Sequence, residues 1–147
     1  MKKRGELQQQ VFYYILVAVL IALILFFGYQ QITRLTNLNE QAKFVTFKND
    51  FQNAVNNLYY KNPGSVITYS LTSQNKPLIL PRGVKEVCFE KLNNEVKVKS
   101  DSEYFIEFNV ENLIPKEDNY CIKAINSQLS FTLENKLVDG KTVIEIR

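Results

Sequence analysis

Cys88 and Cys121 are the most reactive side chains in a 147-residue chain that has no histidine and no tryptophan. Without histidine there is no Ser-His-Asp or Cys-His nucleophile and no His-ligated zinc. Two cysteines so far apart, with no histidine, do not make a metal site, so the expected metal set is none. Two uses remain for them. In an oxidising location they pair, which stabilises by about 3–4 kcal/mol through the constrained unfolded chain. Otherwise they are buried thiols acting as small hydrophobes.

Acidic residues are the other candidates for chemistry. Glu86, Glu90, Asp101, Glu103, Glu107, Glu111, Glu117 and Asp118 are scattered through the second half of the chain. A carboxylate pair at fixed separation serves glycoside hydrolysis, but no spacing here singles out a pair, and strand alternation accounts for them as a solvated face. The five glycines are ungrouped, so no loop cradles a phosphate. No Asn-x-Ser/Thr sequon occurs. No catalytic residue, cofactor or enzymatic activity is expected.

These residues have to be positioned by a chain organised around one stretch. Residues 11–29, VFYYILVAVLIALILFFGY, carry no charge. At 1.5 Å per residue this run spans about 28 Å, close to the hydrocarbon thickness of a bilayer, and in lipid only a helix pairs its backbone groups. Lys2, Lys3 and Arg4 precede it and, by the positive-inside rule, hold the N-terminus in the cytoplasm. They also account for the whole formal net charge of +3, which is too small to indicate a nucleic-acid partner. The remainder of the chain then lies outside, together with both cysteines, which favours the bridge. The apolar run is longer than a cleavable secretory core, and Phe27-Gly28-Tyr29 offers no small-x-small cleavage site. Within the run, Ala18 and Ala22 form a small-x-x-x-small pair that allows close helix approach, or is ordinary alanine usage.

From Gln30 to Tyr60 there is no proline or glycine. Apolar residues recur at Ile32, Leu35, Leu38, Ala42, Val45, Phe51, Val55 and Leu58, a stripe at steps of three and four suited to covering a sheet. The opposite face is rich in Gln, Asn and Lys. Asn62-Pro63-Gly64 ends the helix. After Gly64 the pattern becomes strand-like at 65–71, 78–80, 84–90, 95–99, 104–110, 120–125, 129–134 and 142–146. Asn93-Asn94, Asn126-Ser127 and Asp139-Gly140 are the turn signals among them. In 104–110, alternation assigns Tyr104, Ile106, Phe108 and Val110 to one face. Seven or eight short strands predict an α+β fold, in which a long N-terminal helix packs on a C-terminal antiparallel sheet or small sandwich.

The order of features carries a resemblance. Basic residues, then Arg4-Gly5-Glu6-Leu7, then Gln8-Gln9-Gln10 and the apolar helix, resemble the class III signal peptide of archaeal type IV pilins. The phrases LPRGVKEVCFE and YCIKAINSQLSFTLE look like the outer half of small archaeal pilin-like proteins. The resemblance implies that a prepilin peptidase cuts between Gly5 and Glu6, removing residues 1–5 and keeping the helix, 6–60, above a β head, 65–147. It further implies a structural subunit in a cell-surface filament, whose partners are membrane lipid, the peptidase, and copies of itself or other pilins. Bacterial pilins place a glutamate at the fifth mature position; here the acid is Glu6, the first. The alternative is an uncleaved single-pass protein whose outer β domain binds a partner or ligand.

Overall fold

A computed structural model describes residues 3–93 and 95–147, with side chains of the first helix described from Gln10 onward. That helix, α1, runs Lys3–Tyr59. Its contacts divide between two compact units, one ending at Asn39 and the other Glu40–Arg147.

In the first unit the helix stands by itself. Nearly every large apolar side chain from Val11 to Leu38 is exposed, Ile24 and Tyr29 the most fully. Beyond the apolar run, Thr33 Oγ1 donates to Tyr29 O at 3.1 Å and Thr36 Oγ1 to Ile32 O at 2.9 Å, so these hydroxyls are satisfied within their own helix.

In the second unit the end of α1 packs on ten strands. These are β1 Val66–Tyr69, β2 Leu78–Ile79, β3 Glu86–Leu92, β4 Glu95–Ser100, β5 Phe108–Glu111, β6 Leu113–Pro115, β7 Asn119–Lys123, β8 Gln128–Leu129, β9 Phe131–Val138 and β10 Lys141–Ile146. One four-stranded sheet has the order β1-β9-β10-β6 and another β5-β4-β3-β7, while β2 and β8 form a two-stranded ribbon. The expected α+β arrangement is therefore present. All pairings are antiparallel except β10 with β6, which runs parallel from Ile144↔Leu113 to Ile146↔Pro115.

Burial alternates along β3, β4, β5 and most of β9, so each sheet turns one row of Val, Leu, Ile and Phe inward. The helix answers with Phe44, Phe47, Phe51, Ala54, Val55 and Leu58, all buried. Phe51 reaches both sheets: its ring lies 5.6 Å from that of Phe89 on β3 and 5.4 Å from that of Phe131 on β9. Phe47 and Phe44 lie 5.6 and 5.2 Å from Phe105. Such ring pairs add about 0.5–1.5 kcal/mol each beyond the area they bury.

Two expectations are corrected. The predicted stripe is right from Phe51 onward, but Ile32, Leu35, Leu38, Ala42 and Val45 are exposed. The covering face instead begins at Glu40 and advances through Phe44 and Phe47, because bulky rings that reach the sheet define the register better than smaller apolar residues on the far side. In 104–110 the strand is confined to Phe108 and beyond. A turn in which Phe105 N–H donates to Ser102 O at 3.0 Å rotates the chain, so Phe105 is buried and Ile106 is 66 % exposed.

The turn signals are where the sequence put them. Asn126 and Ser127 both have positive φ, as do Asp139 and Gly140, matching the type I′ pattern that suits tight hairpins. Asn93 also has positive φ, and its neighbour Asn94 lies outside the described residues. The strands flanking Asn126-Ser127 go to different sheets, however, and meet only at the Ile125↔Gln128 bridge.

Candidate functional site

Residues expected to direct processing and anchoring fall on α1. Lys2 lies outside the described residues, and for Lys3, Arg4, Gly5 and Glu6 only the helical backbone is described. Ala18 and Ala22 are exposed on the helix, four residues apart and therefore on one face. From Gln10 onward the helix is long and apolar enough to cross a membrane, and none of that apolar window is buried.

Cys88 and Cys121 face each other across β3 and β7 and form a disulfide, with Cα atoms 4.0 Å apart and a sequence separation of 33. Strand register makes this pairing: Glu86↔Lys123 and Glu90↔Asn119 flank it on the same face. Glu86 brings its carboxylate within 4.8 Å of both sulfurs. With the sulfurs bonded to each other, this trio offers a single anionic donor and is no metal site.

Several of the scattered acids are committed to structure. Glu90 accepts from Lys99 Nζ at 2.7 Å, which holds its carboxyl below the usual range. Lys97 pairs with Glu107. Asp101 caps the Lys85 N–H, the main cause of its own lowered pKa.

Two buried polar residues were not legible as important. Glu40, 1 % exposed, accepts from Lys43 Nζ at 2.9 Å and from the Arg82 N–H at 2.6 Å. The Lys43 hydrogen bond, helped by the Arg82 N–H, outweighs desolvation and keeps its pKa low. Asn135, fully buried on β9, donates through Nδ2 to Leu58 O at 2.8 Å and Lys61 O at 2.9 Å. Its backbone closes the same junction, with Gly64 N–H donating to Asn135 O at 2.7 Å and Asn135 N–H to Ser65 O at 2.9 Å. Asn135 thereby caps the end of α1, satisfying carbonyls that a helix terminus leaves open. The available signal was an Asn in the inward row Phe131, Leu133, Asn135.

Among the clefts that open on the second unit, two involve the end of α1. One of about 550 Å³ lies where turns meet the end of α1, lined by Tyr59, Lys91, Asn112, Lys141 and Thr142 among others. The second, about 440 Å³, is lined by Asn49, Gln52, Asn53 and Asn56 of α1 and by Asn109, Val110 and Glu111 of β5. Comparison with protein-family models, curated proteins and solved structures gave no match.

Proposed function

We propose that this chain is a pilin-like structural subunit, anchored in the membrane and built into a cell-surface filament through its N-terminal helix. The observation that carries the reading is α1 itself. Its exposed apolar run, Val11 to Tyr29, continues without a break into the segment that forms part of the head's core. A helix shared in this way ties the head covalently to whatever receives the apolar run. Lipid receives it before assembly and the helices of neighbouring subunits receive it afterwards.

Processing follows from charge. While residues 1–5 are attached, Lys2, Lys3 and Arg4 keep the start of the helix at the cytoplasmic face, since each costs about 2.5–3.5 kcal/mol at the bilayer centre. A cut between Gly5 and Glu6 removes all three. It leaves one new amine beside the Glu6 carboxylate, which offsets its charge.

The test is the native N-terminus. Mass spectrometry of sheared surface filaments should find this protein beginning at Glu6. Gly5→Leu should block both cleavage and incorporation while the head stays folded. Full-length chain found only in the membrane fraction, with Gly5→Leu behaving as wild type, selects the uncleaved single-pass anchor with a binding head instead.

A further inference from the structure

The amide-lined groove between α1 and β5 is not used by the anchoring reading and is independent of it. Asn49, Gln52, Asn53 and Asn56 lie at i, i+3, i+4 and i+7, so two turns of helix turn four amides to one side. None of these four side chains makes a hydrogen bond to a described residue. Asn109 completes the row from β5, its Nδ2 donating to Glu95 Oε2 at 2.8 Å, which fixes the amide plane and leaves Oδ1 open. Glu111 stands at the rim and Val110 forms the floor.

Helix stability does not account for this composition. Asn is among the poorer helix formers because its side chain competes for the backbone, and a solvated face is better served by Glu and Lys pairs four residues apart. A row of uncommitted amides that weakens its own helix marks a place where function outweighs local preference.

We propose that this groove binds a neutral carbohydrate. Each amide presents an acceptor and a donor side by side, matching adjacent sugar hydroxyls, which are donors and acceptors at once. Among the described residues that line the groove there is no cation, and the Glu111 carboxylate disfavours anionic ligands. Its volume suits about two or three sugar rings. An extended peptide on the β5 edge is the poorer fit, because strand addition needs pockets for alternate side chains and the helix wall of this groove is amide throughout.

The test uses the full chain in zwitterionic micelles, since alkyl-glycoside headgroups would compete. Maltotriose, α-mannotriose and triacetylchitotriose are each titrated to millimolar concentration while the Asn and Gln side-chain NH₂ resonances are followed. At least one sugar should shift the Asn49, Gln52, Asn53, Asn56 and Asn109 signals. Q52A with N53A should weaken that sugar roughly tenfold, the loss of two ordinary hydrogen bonds. Alanine favours helix, so the variant keeps the fold. Asn57→Ala, outside the groove, should bind as wild type. No shift with any of the three sugars overturns the proposal, as does binding that survives Q52A with N53A. Shifts produced by a capped Ser-Thr peptide but by no sugar also overturn it and assign the groove to peptide.

Discussion

Replacing Asn135 tests how the helix end is held. Asn135→Ala removes the two short hydrogen bonds to Leu58 O and Lys61 O, worth about 0.5–1.5 kcal/mol each, and a longer one to Tyr59 O at 3.4 Å. Leu58 O keeps a second donor, the Lys61 N–H at 3.0 Å, so it is not left bare. The lost side-chain atoms leave a small cavity worth about 1 kcal/mol. Against this, Asn135 Oδ1 is itself buried without a partner, and deleting it recovers about 1 kcal/mol. The net expectation for Asn135→Ala is a loss of about 2 kcal/mol. Asn135→Leu, which fills the space but cannot donate, should lose nearly as much. Asn135→Asp should be worse than either at neutral pH, by about 3–5 kcal/mol relative to wild type, because it sets a buried carboxylate against carbonyl oxygens. That penalty exists only while the carboxyl is ionised. Its folded pKa is raised, so the lost stability should return as pH falls and the neutral acid donates in place of Nδ2. Urea unfolding followed by near-ultraviolet circular dichroism, at neutral and acid pH, reads all three variants. If Asn135→Ala and Asn135→Leu unfold within about 0.5 kcal/mol of wild type, or Asn135→Asp matches Asn135→Ala at neutral pH, the capping account is wrong.

Three further outcomes are expected. Cys88→Ser with Cys121→Ser should cost about 3–4 kcal/mol for a 33-residue separation, seen as a lower unfolding midpoint that added reductant does not lower further. Glu40 has a folded pKa below its ordinary value of 4.5, so folding favours its ionised form. Its contribution is present above that value and lost as pH falls through the depressed one, and Glu40→Gln should flatten the acid limb of a stability–pH curve. Phe51→Ala should cost about 3–5 kcal/mol by opening a cavity against both sheets, whereas Val45→Ala, on the exposed side, should change thermal stability little.

What could be read from the sequence depended on how local the signal was. Asn62-Pro63-Gly64 stops a helix by its own backbone limits, and Gly64 has φ of 87°. Asp139-Gly140 makes its turn for the same kind of reason. The Cys88–Cys121 pair was legible because a chain with two cysteines offers each a single possible partner. The register of the helix stripe was not. Leu35 and Leu38 look as apolar as Phe44 and Phe47, and only the positions of Phe105, in its turn, and Phe108, on β5, decide which rings are covered. The role of Asn135 depends on carbonyls more than seventy residues earlier in the chain. The parallel β6–β10 pair likewise leaves no short-range trace. In the amide groove, the helical half was visible as an Asn- and Gln-rich face, but nothing in the spacing placed Asn109 and Glu111 beside it.

The pairing of Phe51 with Phe131 also bears on the order in which the chain is made. Synthesis delivers α1 early, yet the strand that caps it and one of the two sheets that cover it arrive together with β9. Closing so long a loop is entropically slow. Until β9 is made, Phe51 therefore lacks its Phe131 side and the end of α1 its cap, a period in which the uncovered ring can bind a chaperone or another nascent copy. A chain halted before Phe131 should accumulate as aggregate or be degraded, because Phe51 then lacks half its cover and the end of α1 has no cap.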